Sequence, residues 1–124
     1  MAKNIFLEKS KNMIDLAFKE YHEFEKTNSR SYLMQSGEKG WNALVQLSFY
    51  YKIPEHGTHK DTVNNIKRIP KENEKDTVLL ASIGESMHAN YYNDFMSPEL
   101  LYSQLERIRD FVNKKLKEEG YRLR

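Results

Sequence analysis

A helix-start signal followed by a regular apolar repeat occupies residues 97–120. Ser97 can accept hydrogen bonds from the free N–H groups of a helix start, Pro98 suits the first turn, and Glu99 complements its positive end. Branched apolar residues then recur at steps of three or four: Leu101, Leu105, Ile108, Val112 and Leu116. This spacing predicts a long helix that ends at Gly120 and whose apolar face needs a partner to cover it.

Similar apolar spacing predicts helices upstream. Their expected bounds are about 4–25, 31–52, 60–69 and 76–95. Thr27-Asn28-Ser29 separates the first helix from the second, and Pro54 ends the second. The charged stretch 70–75 is the best candidate for a flexible loop. Strand-like alternation is scarce. We therefore predict an all-α fold, an up-and-down antiparallel bundle of four long helices plus one short helix.

The apolar positions also predict the core-facing side of each helix. The first helix would bury Ile5, Phe6, Met13, Ile14, Ala17, Phe18, Tyr21 and Phe24. The second would bury Leu33, Trp41, Leu44, Val45, Leu47 and Ser48. The helix over 76–95 would bury Val78, Leu79, Ile83 and Met87, followed by Asn90 or Tyr91 and by Asp94 or Phe95. Each set forms one stripe, as expected for helices around a shared core.

Two glycines and four aromatic residues do not fit a simple stripe. Gly37 and Gly40 lie inside the second helix, where each costs ~1 kcal/mol relative to Ala. They indicate a close approach of another backbone or a local bend. The aromatic residues are Phe49, Tyr50, Tyr51 and Tyr102. Either they form a dimer surface, because aromatic residues are enriched in interface cores, or a wide core absorbs them.

Length and composition narrow the class of protein. The 124 residues predict a single domain over 1–124. With 20 basic and 18 acidic side chains, the net charge of +2 gives no argument for nucleic-acid binding. The absence of cysteine excludes disulfides, thiolate zinc sites and a Cys nucleophile. Because we find neither a signal-peptide core nor a long apolar span, we expect a cytoplasmic protein with no membrane partner.

One predicted helix end has chemistry that a core-filling helix does not need. His88 and Tyr92 are one helical turn apart and share a face, with Asn90 between them. His88 is a candidate general acid or base near neutral pH. The alternative is a buried histidine that hydrogen bonds to a carbonyl or a tyrosine hydroxyl. Under the first of these two interpretations, His88 is the candidate catalytic residue.

The second helix adds Glu38, Lys39 and Trp41 within one turn. A tryptophan in a bundle is usually a core residue. A buried carboxylate at Glu38 would need a partner, because an unpaired buried charge is costly. The candidate partners are His59, Lys39 and His88.

Histidine spacing gives only a weak metal signal. His56 and His59 are three residues apart, beside Glu55 and Asp61, in a predicted loop. Helical His-Xaa3-His spacing is absent, and so are a Gly-rich phosphate loop, a serine nucleophile elbow and a dinucleotide fingerprint. We predict neither a metal nor a cofactor.

Three segments together resemble the PaREP1 family of small, mostly archaeal proteins. They are Gly37-Glu38-Lys39-Gly40-Trp41-Asn42-Ala43, His59-Lys60-Asp61, and His88-Ala89-Asn90-Tyr91-Tyr92 with Ser97-Pro98-Glu99. The resemblance implies a HEPN-like bundle, similar to nucleotidyltransferase substrate-binding domains and often a homodimer. The family's recurrent polar residues match seven positions, which become the candidate ligand-binding residues: Glu38, Lys39, Trp41, His59, His88, Asn90 and Tyr92.

The chain departs from the catalytic HEPN ribonucleases in one respect. Those enzymes have an arginine followed, after four to six residues, by a histidine. None of the arginines at positions 30, 68, 107, 109, 122 and 124 precedes a histidine at that distance. The resemblance therefore does not extend to ribonuclease activity.

Three functions follow from these observations. The leading hypothesis is a binding module for a nucleotide, a nucleic acid or a partner protein, whose polar residues meet in one cleft between the second helix and the helix over 76–95. The second is an enzyme that uses His88 as acid or base on RNA or another phosphate-containing substrate, with Glu38 or His59 orienting it. The third is a structural homodimer, or a subunit of a complex with a small nucleotidyltransferase.

Overall fold

The computed structural model describes residues 4–51, 66–67, 69 and 74–121. These residues form four helices and no strand: α1 over Asn4–Thr27, α2 over Arg30–Tyr50, α3 over Glu74–Asn93 and α4 over Pro98–Glu118. The all-α prediction is confirmed for this part of the chain. Most of the predicted short helix over 60–69 and most of the predicted loop 70–75 lie outside the described residues, although Ile66 and Ile69 are described and buried, and Glu74 and Lys75 belong to α3.

The helix ends follow the local sequence signals. The Ser97 hydroxyl accepts a hydrogen bond from the Leu100 amide at 3.2 Å, and Gly120 has a φ of 79°. Both agree with the predicted start and stop of α4. Asn28 ends α1 with a φ of 60°, and Asp94 ends α3 with a φ of 47°, in the left-handed region that asparagine and aspartate tolerate. The observed bounds therefore differ from the predicted ones by only a few residues.

Contacts between neighbouring helices join the early part of one helix to the later part of the other. Ser10, near the start of α1, donates to the carbonyl oxygen of Ala43, near the end of α2, at 2.8 Å. Arg30 at the start of α2 pairs with Asp94 just after α3. Tyr102 in the first turns of α4 packs edge-on against Phe18 in α1, with 5.6 Å between ring centroids. Each of these helix pairs is therefore antiparallel.

All four helices contribute side chains to the core of the bundle. All five residues of the predicted α4 stripe are fully buried, as predicted: Leu101, Leu105, Ile108, Val112 and Leu116. In α2 the predicted inward residues are buried except Val45, which is partly exposed. A Cβ added at Gly40 would lie 2.8 Å from Leu105 Cδ2. The glycines thus admit side chains of α4, whereas the prediction placed another backbone or a bend there.

The predicted core face of α3 was wrong at its first two positions. Val78 and Leu79 are 53% and 48% exposed, while Thr77 and Gly84 are buried. The buried face of α3 begins with Thr77, Leu80, Ala81 and Gly84, so it is rotated from the predicted stripe. Gly84 lies against Trp41 and Leu44 of α2, and a prediction from apolar character overlooks such a small residue. Ile83, Met87 and Asn90 are buried as predicted.

Two positions at helix ends that were predicted to face inward are also exposed. Ile5, predicted to be inward, is 47% exposed at the start of α1. Phe95, one of two alternatives at the end of the α3 stripe, is 60% exposed. Asp94, the other alternative, is partly exposed.

The four surplus aromatic residues make contacts within the chain. Phe49 packs edge-on against Phe6, with 5.7 Å between ring centroids, and Tyr102 lies against Phe18 and Tyr21. The hydroxyls of Tyr50 and Tyr51 both donate to the carboxylate of Glu119. These contacts favour the wide core over the predicted dimer surface. None of the described helices is both long and apolar enough to cross a membrane.

Candidate functional site

A carboxylate and an imidazole join α2 to α3. Glu38 Oε1 lies 2.7 Å from His88 Nδ1, and the two side chains are 17% and 25% exposed. The Nδ1–H group donates a hydrogen bond to the carboxylate, so the neutral imidazole has its lone pair on Nε2. Of the two predicted partners of Glu38 that lie in the described residues, Lys39 and His88, His88 is thus the one in contact. A carboxylate that fixes the tautomer of a histidine is an arrangement suited to proton transfer.

The indole of Trp41 supports this pair from the core side. Its ring stacks on the imidazole of His88, with 5.4 Å between centroids and 27° between planes. Trp41 is only 4% exposed, and its other neighbour is Gly84, where an added Cβ would lie 2.7 Å from the indole Cε3. The imidazole is therefore held at its edge by Glu38 and on its face by Trp41.

Outward from His88 the rings become exposed. Tyr92 meets the imidazole edge-on at 5.4 Å, and Tyr91 meets Tyr92 edge-on at 5.1 Å. Tyr91 is 38% exposed, Tyr92 70% and Phe95 60%. We call Tyr91, Tyr92 and Phe95 the aromatic surface. These are three large exposed rings within five residues, and elsewhere in the described residues Tyr32, 36% exposed, is the other exposed aromatic side chain.

Two of the predicted site residues lie in the described ranges but do not join this cluster. Asn90 is fully buried, and its Oδ1 accepts hydrogen bonds from the Phe95 and Met96 amides, each at 2.7 Å. It therefore secures the segment after α3, while its buried Nδ2 has no hydrogen-bond partner. Lys39 contacts Glu20 of α1, with 3.5 Å between the charged atoms. His59 lies outside the described residues, and only Glu38, Trp41, His88 and Tyr92 are brought together.

An ion pair that the sequence did not suggest fixes the same end of the molecule. Arg30 Nε donates to both carboxylate oxygens of Asp94 at 2.9 Å, and its Nη2 donates to the carbonyl oxygen of Met96 at 3.1 Å. The hydrogen bond from Arg30 lowers the pKa of Asp94. No local signal links residues so far apart in sequence. Gly84 was also missed, although a glycine inside a helix and one turn before His88 was a visible signal.

Within the described ranges no group of three or more His, Asp or Glu side chains could hold a metal ion. The weak candidate, formed by His56, His59, Glu55 and Asp61, lies outside those ranges. The chemistry that the cluster offers is thus proton transfer at His88 and apolar docking at the aromatic surface.

Comparisons with known proteins add no assignment to this geometry. The chain matches no family model, no curated protein and no solved structure. The resemblance to PaREP1 proteins therefore rests on the motifs quoted above and stays a prediction.

Proposed function

We propose that this protein is a non-catalytic interaction module that binds a partner protein through the aromatic surface. The observation that supports this most directly is the exposure of Tyr92 and Phe95, 70% and 60%, next to side chains that are held in place. Aromatic residues are enriched in the cores of protein interfaces, and tyrosine is frequent among the residues that dominate binding energy.

The surroundings of the aromatic surface favour binding further. Tyr92 rests on an imidazole that Glu38 and Trp41 hold, and Phe95 follows a segment that Asn90 and Arg30 secure. A surface that is already ordered loses little conformational entropy when a partner binds. The polar cluster thus contributes by keeping the aromatic rings in position.

Among the three predicted classes of ligand, a protein fits better than a nucleotide or RNA. Phosphate recognition requires cations that can pair with phosphate oxygens. The nearby cations already have carboxylate partners, because Arg30 lies 2.8 Å from Asp94 and Lys39 lies 3.5 Å from Glu20. An aromatic surface flanked by neutralised charges suits an apolar protein surface.

The first partner that we propose is a second copy of the chain, in a homodimer. The net charge of +2 gives little repulsion between two copies. The second is a small nucleotidyltransferase, which the PaREP1 resemblance implies. We also propose that the fold is HEPN-like, an up-and-down bundle with a fifth, short helix. The antiparallel contacts of the four described helices support this.

Light scattering after size exclusion tests the interaction, with the protein alone and mixed with the product of the neighbouring gene. We expect a complex in at least one sample, and Tyr92→Ala or Phe95→Ala should weaken it by roughly tenfold or more, as for central interface residues. Val78→Ala is the matched control, because Val78 is a 53% exposed apolar residue at the other end of α3. Monomers in both samples, or equal loss with Val78→Ala, would contradict the proposal.

The contact of 2.7 Å between His88 and Glu38 specifically favours a second candidate, a His88-dependent enzyme acting on RNA or another phosphate-containing substrate. Here Glu38 would fix the tautomer and Nε2 would exchange the proton. Cleavage of RNA by the wild type should be lost in His88→Ala and reduced in Glu38→Gln. Equal cleavage by the wild type and His88→Ala would exclude His88 as the catalyst.

A further inference from the structure

We propose that Gly84 is a positioning residue for the candidate site, and that it acts through Trp41 and His88. Its missing side chain lets the indole lie flat against the backbone of α3, which sets the plane of the imidazole that stacks on it. This inference rests on the proposed function in one respect, because His88 supports the aromatic surface that would bind the partner. The stacking of Trp41 on His88 can be tested without any partner.

The space around Gly84 is filled by rigid groups. An added Cβ would lie 2.7 Å from Cε3 and 3.1 Å from Cζ3 of Trp41, and 3.2 Å from Cδ1 of Leu44. Carbon atoms pack best about 3.5–4.0 Å apart, so the two indole contacts would be strongly repulsive. Trp41 is 4% exposed and Leu44 is fully buried, so the indole cannot swing into solvent. A side chain at position 84 therefore shifts or tilts the ring.

Gly40 provides a contrast with nearly the same overlap. An added Cβ there would lie 2.8 Å from Cδ2 of Leu105 and 3.3 Å from Cε of Met87. These atoms are the ends of flexible side chains, which can adopt other rotamers. An alanine at position 40 therefore strains the core without pressing on the indole ring. Gly40→Ala is the matched control for Gly84→Ala.

A shift of the indole reaches the site through two ring contacts. His88 stacks on Trp41 with 5.4 Å between centroids, and Tyr92 meets His88 edge-on at the same distance. The hydrogen bond of 2.7 Å to Glu38 holds one edge of the imidazole, and Trp41 packs against its face. A shift of the indole therefore changes the tilt of the imidazole. The imidazole plane and the position of Tyr92 thus depend on position 84.

The fluorescence of Trp41 reports this stack directly, because Trp41 is the only tryptophan in the chain. The imidazole of His88 touches the indole face, so removing it in His88→Gln should change the emission of Trp41. We expect the same emission change from His88→Gln in the wild-type background and in the Gly40→Ala background. In the Gly84→Ala background this emission change should lose most of its amplitude.

If Gly84→Ala does not fold alone, the Trp41→Phe background provides a second test, because the double variant should fold. Trp41→Phe removes the outer part of the ring system, so Gly84→Ala should destabilise the Trp41→Phe background much less than it destabilises the wild type. Such coupling between touching residues is measured by a double-mutant cycle. A Gly84→Ala variant with the wild-type emission change, or a cycle without coupling, overturns the inference.

The two proposals can fail separately. The emission change is measured on the monomer and needs no partner, so a protein that never associates would contradict the interaction module alone. Suppose that Tyr92→Ala abolishes association, while Gly84→Ala keeps both the association and the wild-type emission change. The interaction module then stands, and the positioning role of Gly84 is wrong.

Discussion

The carboxylates of Glu38 and Glu119 both lie among aromatic side chains, and their surroundings differ. Glu38 bonds to His88, which stacks on Trp41 and supports the 70% exposed Tyr92. Glu119 accepts hydrogen bonds from the hydroxyls of Tyr50 and Tyr51 at 2.7 Å and 3.2 Å. We call these the Glu38 region and the Glu119 region.

The difference lies in where the polar and aromatic groups point. In the Glu119 region both hydroxyls are used inside the chain, where they tie the end of α2 to the end of α4. In the Glu38 region the carboxylate holds an imidazole, and the next ring faces solvent. Residue types alone therefore do not distinguish a structural cluster from a candidate site.

The largest expected effect tests whether the Glu38 region is also part of the core. Trp41→Ala should lower the free energy of unfolding by about 3–5 kcal/mol, because it removes a buried ring between Gly84 and His88. Tyr51→Ala, which removes a partly exposed ring of the Glu119 region, should cost less. Chemical denaturation followed by circular dichroism measures both. Equal losses would remove this distinction between the regions.

Asn90 tests whether the segment beside the Glu38 region is held from inside. Asn90→Ala leaves the amides of Phe95 and Met96 without their acceptor, which should lower the free energy of unfolding by about 2–3 kcal/mol. Asn93→Ala is the control, because its exposed side chain only bonds to the carbonyl of Ala89, and it should change stability by less than about 0.5 kcal/mol. If Asn93→Ala is as destabilising as Asn90→Ala, the buried acceptor is not what secures the segment.

High pH should weaken the Glu119 region. Burial, followed by the charge of Glu119, raises the pKa of Tyr51, and the hydrogen bond to Glu119 raises the pKa of Tyr50 above the usual 10.0. Unfolded tyrosines lose their protons first, so this stabilisation is complete below about pH 10 and decreases as the pH rises through the folded pKa values. Thermal melts from about pH 9 to pH 11 should show this decline.

Two variants assign that decline. Replacing both tyrosines, in Tyr50→Phe/Tyr51→Phe, should flatten the alkaline part of the stability curve. Glu38→Gln should leave its slope unchanged, because Glu38 does not contact these hydroxyls. An equally steep decline in the double variant would exclude the Glu119 region as its source.

The smallest effect concerns the ion pair beside the aromatic surface. The hydrogen bond from Arg30 lowers the pKa of Asp94 below its usual 3.8. This stabilisation is present above pH 3.8 and is lost as the pH falls through the lowered folded pKa. Because the pair lies at the surface, water and salt screen it, so the change should be small.

Melting temperatures between neutral and acidic pH check this prediction. Asp94→Asn should show a slightly smaller loss of melting temperature on acidification than the wild type. Arg30→Met should resemble Asp94→Asn, because either change removes the same bond. A steeper acid loss in both variants would show that Asp94 destabilises the fold.

Much of the fold could be predicted because its signals are local. The Ser97-Pro98-Glu99 start and the five apolar residues of α4 lie within one helix, so their burial follows from helical spacing alone. Val78 and Leu79 show the limit of this reasoning. Apolar character predicted them to be inward, yet α3 turns Thr77, Leu80, Ala81 and Gly84 toward its neighbours. Apolar residues occur on both faces of α3 here, so their spacing does not determine which face is buried.

The candidate site could be predicted only in part. Glu38 and His88 were both recognised, and their contact was one of the alternatives for the partner of Glu38. The separate roles of Lys39 and Asn90 were not foreseen, because a residue's neighbour on another helix depends on how the helices are rotated and aligned. Arg30 and Asp94, which are 64 positions apart, gave no local signal at all.

The amino-acid sequence alone determined the helical class, the positions of the helices, and the unusual aromatic and polar content of the α3 end. These properties depend on propensity, capping and spacing within a few residues. The tertiary structure decided which of those side chains meet and which face solvent. Long-range packing brought His88 between Glu38 and Trp41, turned Asn90 into the core, and left Tyr92 and Phe95 exposed.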